Sequence, residues 1–125
     1  MNIIEKTYNW NGSLSQRKKT TRIIIHHAAA VICTADDIHR WHLNNGWCGI
    51  GYHFFVRKDG TIYRGRPENM VGAHAGNNNS DSIGICFEGN YQTETAMPSS
   101  QKIAGRELVA YLKKKYSISK VQTHK

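Results

Sequence analysis

The sequence predicts a single α/β domain: a mixed central β-sheet with flanking helices. Three observations carry this expectation. Strand-like and helix-like segments follow one another in the order β, α, β, β, β, α, β. The chain has 125 residues, the size of one ordinary domain. Its 39% hydrophobic content suffices for one packed core and leaves nothing for a second.

Residues 1–19 are polar and irregular, with Trp10 the only large anchor. They are expected to form an N-terminal arm packed on a domain spanning 20–125. TTRIIIHH (20–27) is the first strand candidate, rich in β-branched residues. Its apolar run is continuous, which suits a strand covered on both faces. In TADDIHRWHLNNG, Thr34 followed by Asp37 is an aspartate form of the capping box. Ile38, Trp41 and His42 then share one helical face, and Gly46 stands where a glycine ends a helix.

GYHFFVRKDGTIYRG (51–65) carries a hairpin signal, with YHFFV and TIYR as strands and Asp59-Gly60 as the turn. SIGICFEGN (82–90) is another strand, placing Ile83, Ile85 and Phe87 on one face and Gly84, Cys86 and Glu88 on the other. NYQTETAMPSS reads as a loop. From about Ser100 to Tyr116 a helix sets Ala104, Leu108, Tyr111 and Leu112 on one side, with lysines in its last turn. VQTH is expected as a short final strand.

Composition narrows the function classes. No apolar run approaches the roughly 20 residues of a bilayer span, so no membrane span is expected. MNIIEKTYNWNG lacks a basic flank followed by an apolar stretch. Synthesis in the cytoplasm without a signal peptide is therefore expected. The net charge of +8, from 17 Lys+Arg against 9 Asp+Glu, favours polyanionic surroundings: nucleic acid, anionic lipid or a bacterial wall. No helix-turn-helix, zinc-finger or RRM signature is present, so nucleic acid is not the expected partner. Cys33, Cys48 and Cys86 are an odd count in a leaderless chain and read as reduced thiols, although Cys33 and Cys48 flank one helix.

Seven histidines, at 26, 27, 39, 42, 53, 74 and 124, are many for this length. A histidine at a strand end suits a metal ligand, because the rigid backbone fixes its direction. Neighbours on a strand point to opposite faces, so His26 and His27 are not expected to serve one metal together. One faces a site; the other packs or hydrogen-bonds. There is no HExxH, CxxC or HxH, and spacing alone favours a surface or hydrogen-bonded core residue over a ligand for any single histidine.

Four motifs in fixed order add to this: IIIHHAAA, GIGYHFFVRKDGTIYRGRP, VGAHAGNNNSDSIGICFEGN, and THK after a helix. The series resembles the type-2 zinc N-acetylmuramoyl-L-alanine amidases, which include phage endolysins, bacterial autolysins and animal peptidoglycan recognition proteins. The likeness covers about residues 20–125.

The resemblance implies an amidase-like fold and a Zn2+ cofactor. It matches His26 and His124 to two zinc ligands. It places Tyr52 and Glu88 at or beside the catalytic centre, and His74 along the substrate groove. From the residues themselves, Trp47 is a candidate to stack on a sugar or simply to fill space, and Asn79, within NNNSD, to hydrogen-bond glycan or peptide or to belong to a polar turn. The family's third ligand is a cysteine several residues after the second histidine, in a C-P-G-like context. The chain reaches only Lys125, so the resemblance implies either a domain cut short before that ligand or a third ligand that comes from elsewhere.

The implied reaction is hydrolysis of the amide between N-acetylmuramic acid and the L-alanine of peptidoglycan stem peptides. The enzyme is expected to be a monomer that reaches the bacterial wall after release and is held to its anionic surface by the basic charge. The alternative reading is a non-catalytic muropeptide-binding domain of the same fold.

Overall fold

A computed structural model describes residues 1–124. Six strands form one sheet: β1 (Ile3–Ile4), β2 (Arg22–His27), β3 (Phe54–Val56), β4 (Ile62–Arg64), β5 (Ser82–Phe87) and β6 (Lys120–Thr123). The helices are α1 (Ala35–Asn44) and α2 (Ser99–Tyr116). The strand order is β1-β4-β3-β5-β2-β6. Only the β3–β4 hairpin is antiparallel; β1–β4, β3–β5, β5–β2 and β2–β6 are parallel. The mixed sheet is as expected.

Alternation along the strands divides the core in two. Ile23, Phe54, Val56, Ile83, Ile85 and Phe87 meet Ala104, Leu108 and Leu112 of α2 on one face. On the other, Phe55 and Cys86 meet Tyr8, Cys33, Ala35 and Ile38 beneath α1. Gln101 is the buried polar residue at the α2 junction. Its amide donates to the carbonyls of Val56 (3.0 Å) and Glu88 (2.8 Å), tying the helix to the ends of β3 and β5.

Local signals set the helix ends. The Thr34 side chain accepts from Asp37 N (3.1 Å) and the Asp37 carboxylate accepts from Thr34 N (2.9 Å), a reciprocal box. At the other end Gly46 N donates to Leu43 O and Trp47 N to His42 O. This Schellman arrangement needs the positive φ of +85° that Gly46 supplies. Thr34→Ala is expected to cost about 1 kcal/mol, read as a shift in the urea unfolding midpoint with an unchanged slope.

Three expectations are corrected. The buried face of α1 is Ala35, Ile38, His39 and His42, while Trp41 is 40% exposed. On α2, Tyr111 is likewise outside the buried face. The N-terminal residues are not merely an irregular arm: Ile3–Ile4 extend the sheet beside β4, and Tyr8 is buried more deeply than Trp10. A two-residue strand is too short to show a period in the sequence. Among the described residues no helix is long and apolar enough to cross a membrane.

Candidate functional site

The sheet itself brings the two predicted ligand histidines together. Strand β6 pairs with β2 in parallel, Ile25 opposite Thr123. One step further stand His26 and His124, and His124 N donates to Ile25 O at 2.9 Å, continuing the ladder. Their rings lie 4.7 Å apart, centroid to centroid. Residues near opposite ends of the chain thus share one edge of the site.

Alternation separates the histidine pair as expected. His26 faces Tyr52 and His74. His27 turns to the other face, where its Nδ1 accepts from Tyr91 N (3.0 Å). A cleft of about 230 Å³ opens where the strands end, bordered by His26, His27, Tyr91, Met97 and His124.

Tyr52 packs its ring 5.0 Å from that of His26 and 5.4 Å from that of His42. Burial, then the neighbouring Cys86 thiol, raises its pKa above the usual phenol value. Its hydroxyl therefore remains a hydrogen-bond donor at neutral pH. His42 accepts from Gly51 N at 2.9 Å and lies 4.6 Å from the Trp47 ring. Trp47 is 41% exposed beside this row of rings.

His26 and His74 are both neutral. Burial first, then the proximity of His74, His124 and His27, lowers the His26 pKa to about 3. Burial, then His53 and His124, does the same to His74, again to about 3. Neutral imidazoles are the form in which histidine binds metal. With their rings 4.7 Å apart, His26 and His124 could supply two of the three protein ligands such zinc centres use. Among the described residues no group of three or more His, Cys, Asp or Glu is arranged to hold a metal. Cys86 is fully buried and its thiol pKa is pushed well up by burial, so it is no donor here.

The structure places the other candidates elsewhere. His74 sits behind His26, with its Nδ1 2.8 Å from His26 Nε2. It is buried rather than spread along an open groove. Asn79 uses its side chain within its own loop: Oδ1 accepts from His74 N and Ala75 N (both 2.9 Å), and Nδ2 donates to Gly76 O (2.7 Å). The Glu88 carboxylate accepts from Arg57, Cys33 N and Lys58 N, none of them a residue of the imidazole cluster. His53 is fully buried; Nδ1 accepts from Gly84 N and Nε2 donates to Met70 O. His39 likewise accepts from Ile50 N and donates to Asn9 O. The three cysteines are free.

Two residues of the site escape the reading of motifs. Ser82 Oγ is 3.3 Å from His74 Nε2. Gly84 lies directly under the His74 ring: a Cβ there would come within 2.6 Å of it. A glycine inside an otherwise β-branched strand is the signal that something approaches closely. Gly84→Ala is expected to displace His74 and cost about 1–3 kcal/mol by overpacking. Thermal unfolding and the His74 ring resonances would report it; an unshifted His74 would contradict this packing.

The comparisons with known proteins bear on the family and the fold. The family described as "N-acetylmuramoyl-L-alanine amidase" matches residues 16–125. The endolysin of Klebsiella phage KP32 is 34% identical over 118 residues, covering 88% of this chain and 78% of the relative. Peptidoglycan-recognition protein SC2 of Drosophila melanogaster is 38% identical over 122 residues, covering 86% of this chain and 65% of the relative. Among solved structures, the N-acetylmuramoyl-L-alanine amidase LysC from Clostridium intestinale URNW superposes with a TM-score of 0.96 at 42% identity. That match covers 99% of this chain and 83% of the other. A family match over residues 16–125, this level of identity and a shared fold have one explanation: the chain belongs to the N-acetylmuramoyl-L-alanine amidase family.

Proposed function

We propose that the protein hydrolyses the amide between the lactyl group of N-acetylmuramic acid and the L-alanine of peptidoglycan stem peptides. The carrying observation is the convergence of His26 and His124 at the strand ends, their rings 4.7 Å apart, beside the Tyr52 ring.

An amide resists water because water is a weak nucleophile and the attacked carbonyl develops negative charge. The chemistry a zinc ion supplies is polarisation of that carbonyl and a water acidic enough to attack near pH 7. His26 and His124 would hold the ion through their ring nitrogens. Tyr52, kept as the phenol, can donate a hydrogen bond to the developing oxyanion. The exposed Trp47 ring offers an apolar face for a sugar. The net charge of +8 favours residence on an anionic wall, and that attraction should weaken with salt. The enzyme would act on the wall as a monomer, in the manner of an endolysin or autolysin.

The test is product analysis on purified walls, with and without added zinc, in parallel with a wall-binding assay. Cleavage releases free muramic lactyl ends together with new L-alanine amino termini in equal number. Wall binding without those termini would identify a muropeptide-binding domain instead. Neither binding nor cleavage would overturn both readings.

A further inference from the structure

The hydrogen bonds behind His26 form a chain whose direction is fixed at one end. Ser82 Oγ lies 2.6 Å from the carbonyl oxygen of Asn78. A carbonyl only accepts, so the serine hydroxyl donates there. Its oxygen is left as an acceptor, and His74 Nε2 at 3.3 Å must carry the proton between them. A neutral His74 protonated on Nε2 has a bare Nδ1. That atom is 2.8 Å from His26 Nε2, which must therefore donate. His26 is left with its Nδ1 unprotonated.

We infer that His74, oriented by Ser82, is a positioning residue that fixes the tautomer of His26 and so keeps its Nδ1 as a lone pair available to a metal ion. The inference rests on the reading of His26 as a metal ligand. It assigns His74 to support of that ligand rather than to substrate contact.

The surroundings hold this relay in place. The His26 and His74 rings meet at 89°. Gly84 provides the only kind of floor the His74 ring can lie against, since any side chain there would collide with it. Asn79 staples the backbone of His74 and Ala75 to Gly76, within the same turn as Asn78. Ser82 is fully buried, so water does not compete for its hydroxyl. A metal-ligating histidine needs a partner on its other nitrogen, and the loss of such a partner typically weakens metal binding about 10–100-fold. Here that partner is another imidazole, which is selective only if its own tautomer is set. The serine and the Asn78 carbonyl set it.

The test uses ring nitrogen NMR on the chelator-treated, metal-free chain, with zinc affinity measured by competition against a chromophoric chelator. Wild-type His26 is expected in the Nε2–H form. His74→Phe keeps an aromatic ring but removes the acceptor. The His26 proton should then move to Nδ1, because a buried Nε2–H without a partner is costly, and zinc affinity should fall about 10–100-fold. His74→Asn, which presents an acceptor near the former Nδ1, should restore the wild-type tautomer and most of the affinity. Should His74→Phe fail to fold, Ser82→Ala asks the same question. It should mix the tautomers of both His74 and His26.

A wild-type His26 protonated on Nδ1 would overturn the inference. So would a folded His74→Phe, or Ser82→Ala in its place, with unchanged His26 tautomer and zinc affinity. A wild-type protein with the expected tautomer and relay-dependent zinc binding, but no wall cleavage, would support the relay while rejecting the amidase reading.

Discussion

Glu88→Ala is expected to destabilise the fold by about 3–5 kcal/mol, the range for removing one partner of a buried ion pair. Glu88 is only 3% exposed. Its carboxylate accepts from Arg57 Nη2 at 2.8 Å and Nε at 3.2 Å, from Lys58 N at 2.8 Å and from Cys33 N at 3.0 Å. Burial by itself would push the Glu88 pKa up. The Arg57 guanidinium and the two backbone N–H groups more than offset that, and hold it below the ordinary glutamate value. Removing the carboxylate strands those two N–H groups and uncouples the loop before α1 from the hairpin.

A milder substitution, Glu88→Gln, separates two roles for this residue. A catalytic carboxylate would show its loss in kcat, with stability little changed. A strut shows the reverse. Glu88→Gln is expected to lower the urea midpoint substantially while wall cleavage per folded molecule stays within a few-fold of wild type. A collapse of cleavage in a protein of unchanged stability would restore Glu88 to the catalytic centre.

Acidification is expected to have an effect of similar size. His53 is fully buried, and burial chiefly lowers its pKa to about 3, partly opposed by the Met70 carbonyl and reinforced by Arg17. His42 is lowered to about 4, by burial first and then by Arg66. In the unfolded chain both titrate near 6.5. Between about 6.5 and 4 the unfolded state therefore binds more protons than the native state. Stability is full above that window and falls as pH drops through it. Each such group contributes a slope of about 1.4 kcal/mol per pH unit, so His53 alone removes about 2 kcal/mol between pH 6.5 and 5. His42 adds to it in the same direction, and the growing positive charge on a basic protein does not relieve it. Unfolding free energies at pH 7, 6 and 5 would show the decline. A flat profile over that range, or a His53 ring that titrates near 6.5 in the native protein, would contradict the burial argument.

Much of the fold was legible because its signals are local. The Thr34–Asp37 box, the Gly46 terminus, the Asp59-Gly60 turn and the β-branched run before His26 each depend on residues a few positions apart. The Trp41 and Tyr111 assignments failed for a related reason. Helical periodicity locates an apolar face only to within a residue or so, and the sequence does not say that His39 and Gln101 are satisfied in the interior. His39 is buried because Ile50 N and Asn9 O supply partners from distant segments. A hydropathy pattern has no means of anticipating them.

By itself the sequence determined the class of fold, the separation of His26 from His27 onto opposite faces, and, through four ordered motifs, the family; it also nominated His26 and His124 as candidate metal ligands. The tertiary structure alone decided which polar residues stand beside those histidines. It set the His74 ring against His26, tied Asn79 into its own loop, and bonded Glu88 to Cys33 N and to Arg57 and Lys58 of the hairpin. The physical reason is that a hydrogen bond has a direction and a length of about 3 Å. Such geometry depends on parallel strand register and on a glycine that lets one ring lie against the sheet, and neither is a property of any short stretch of chain.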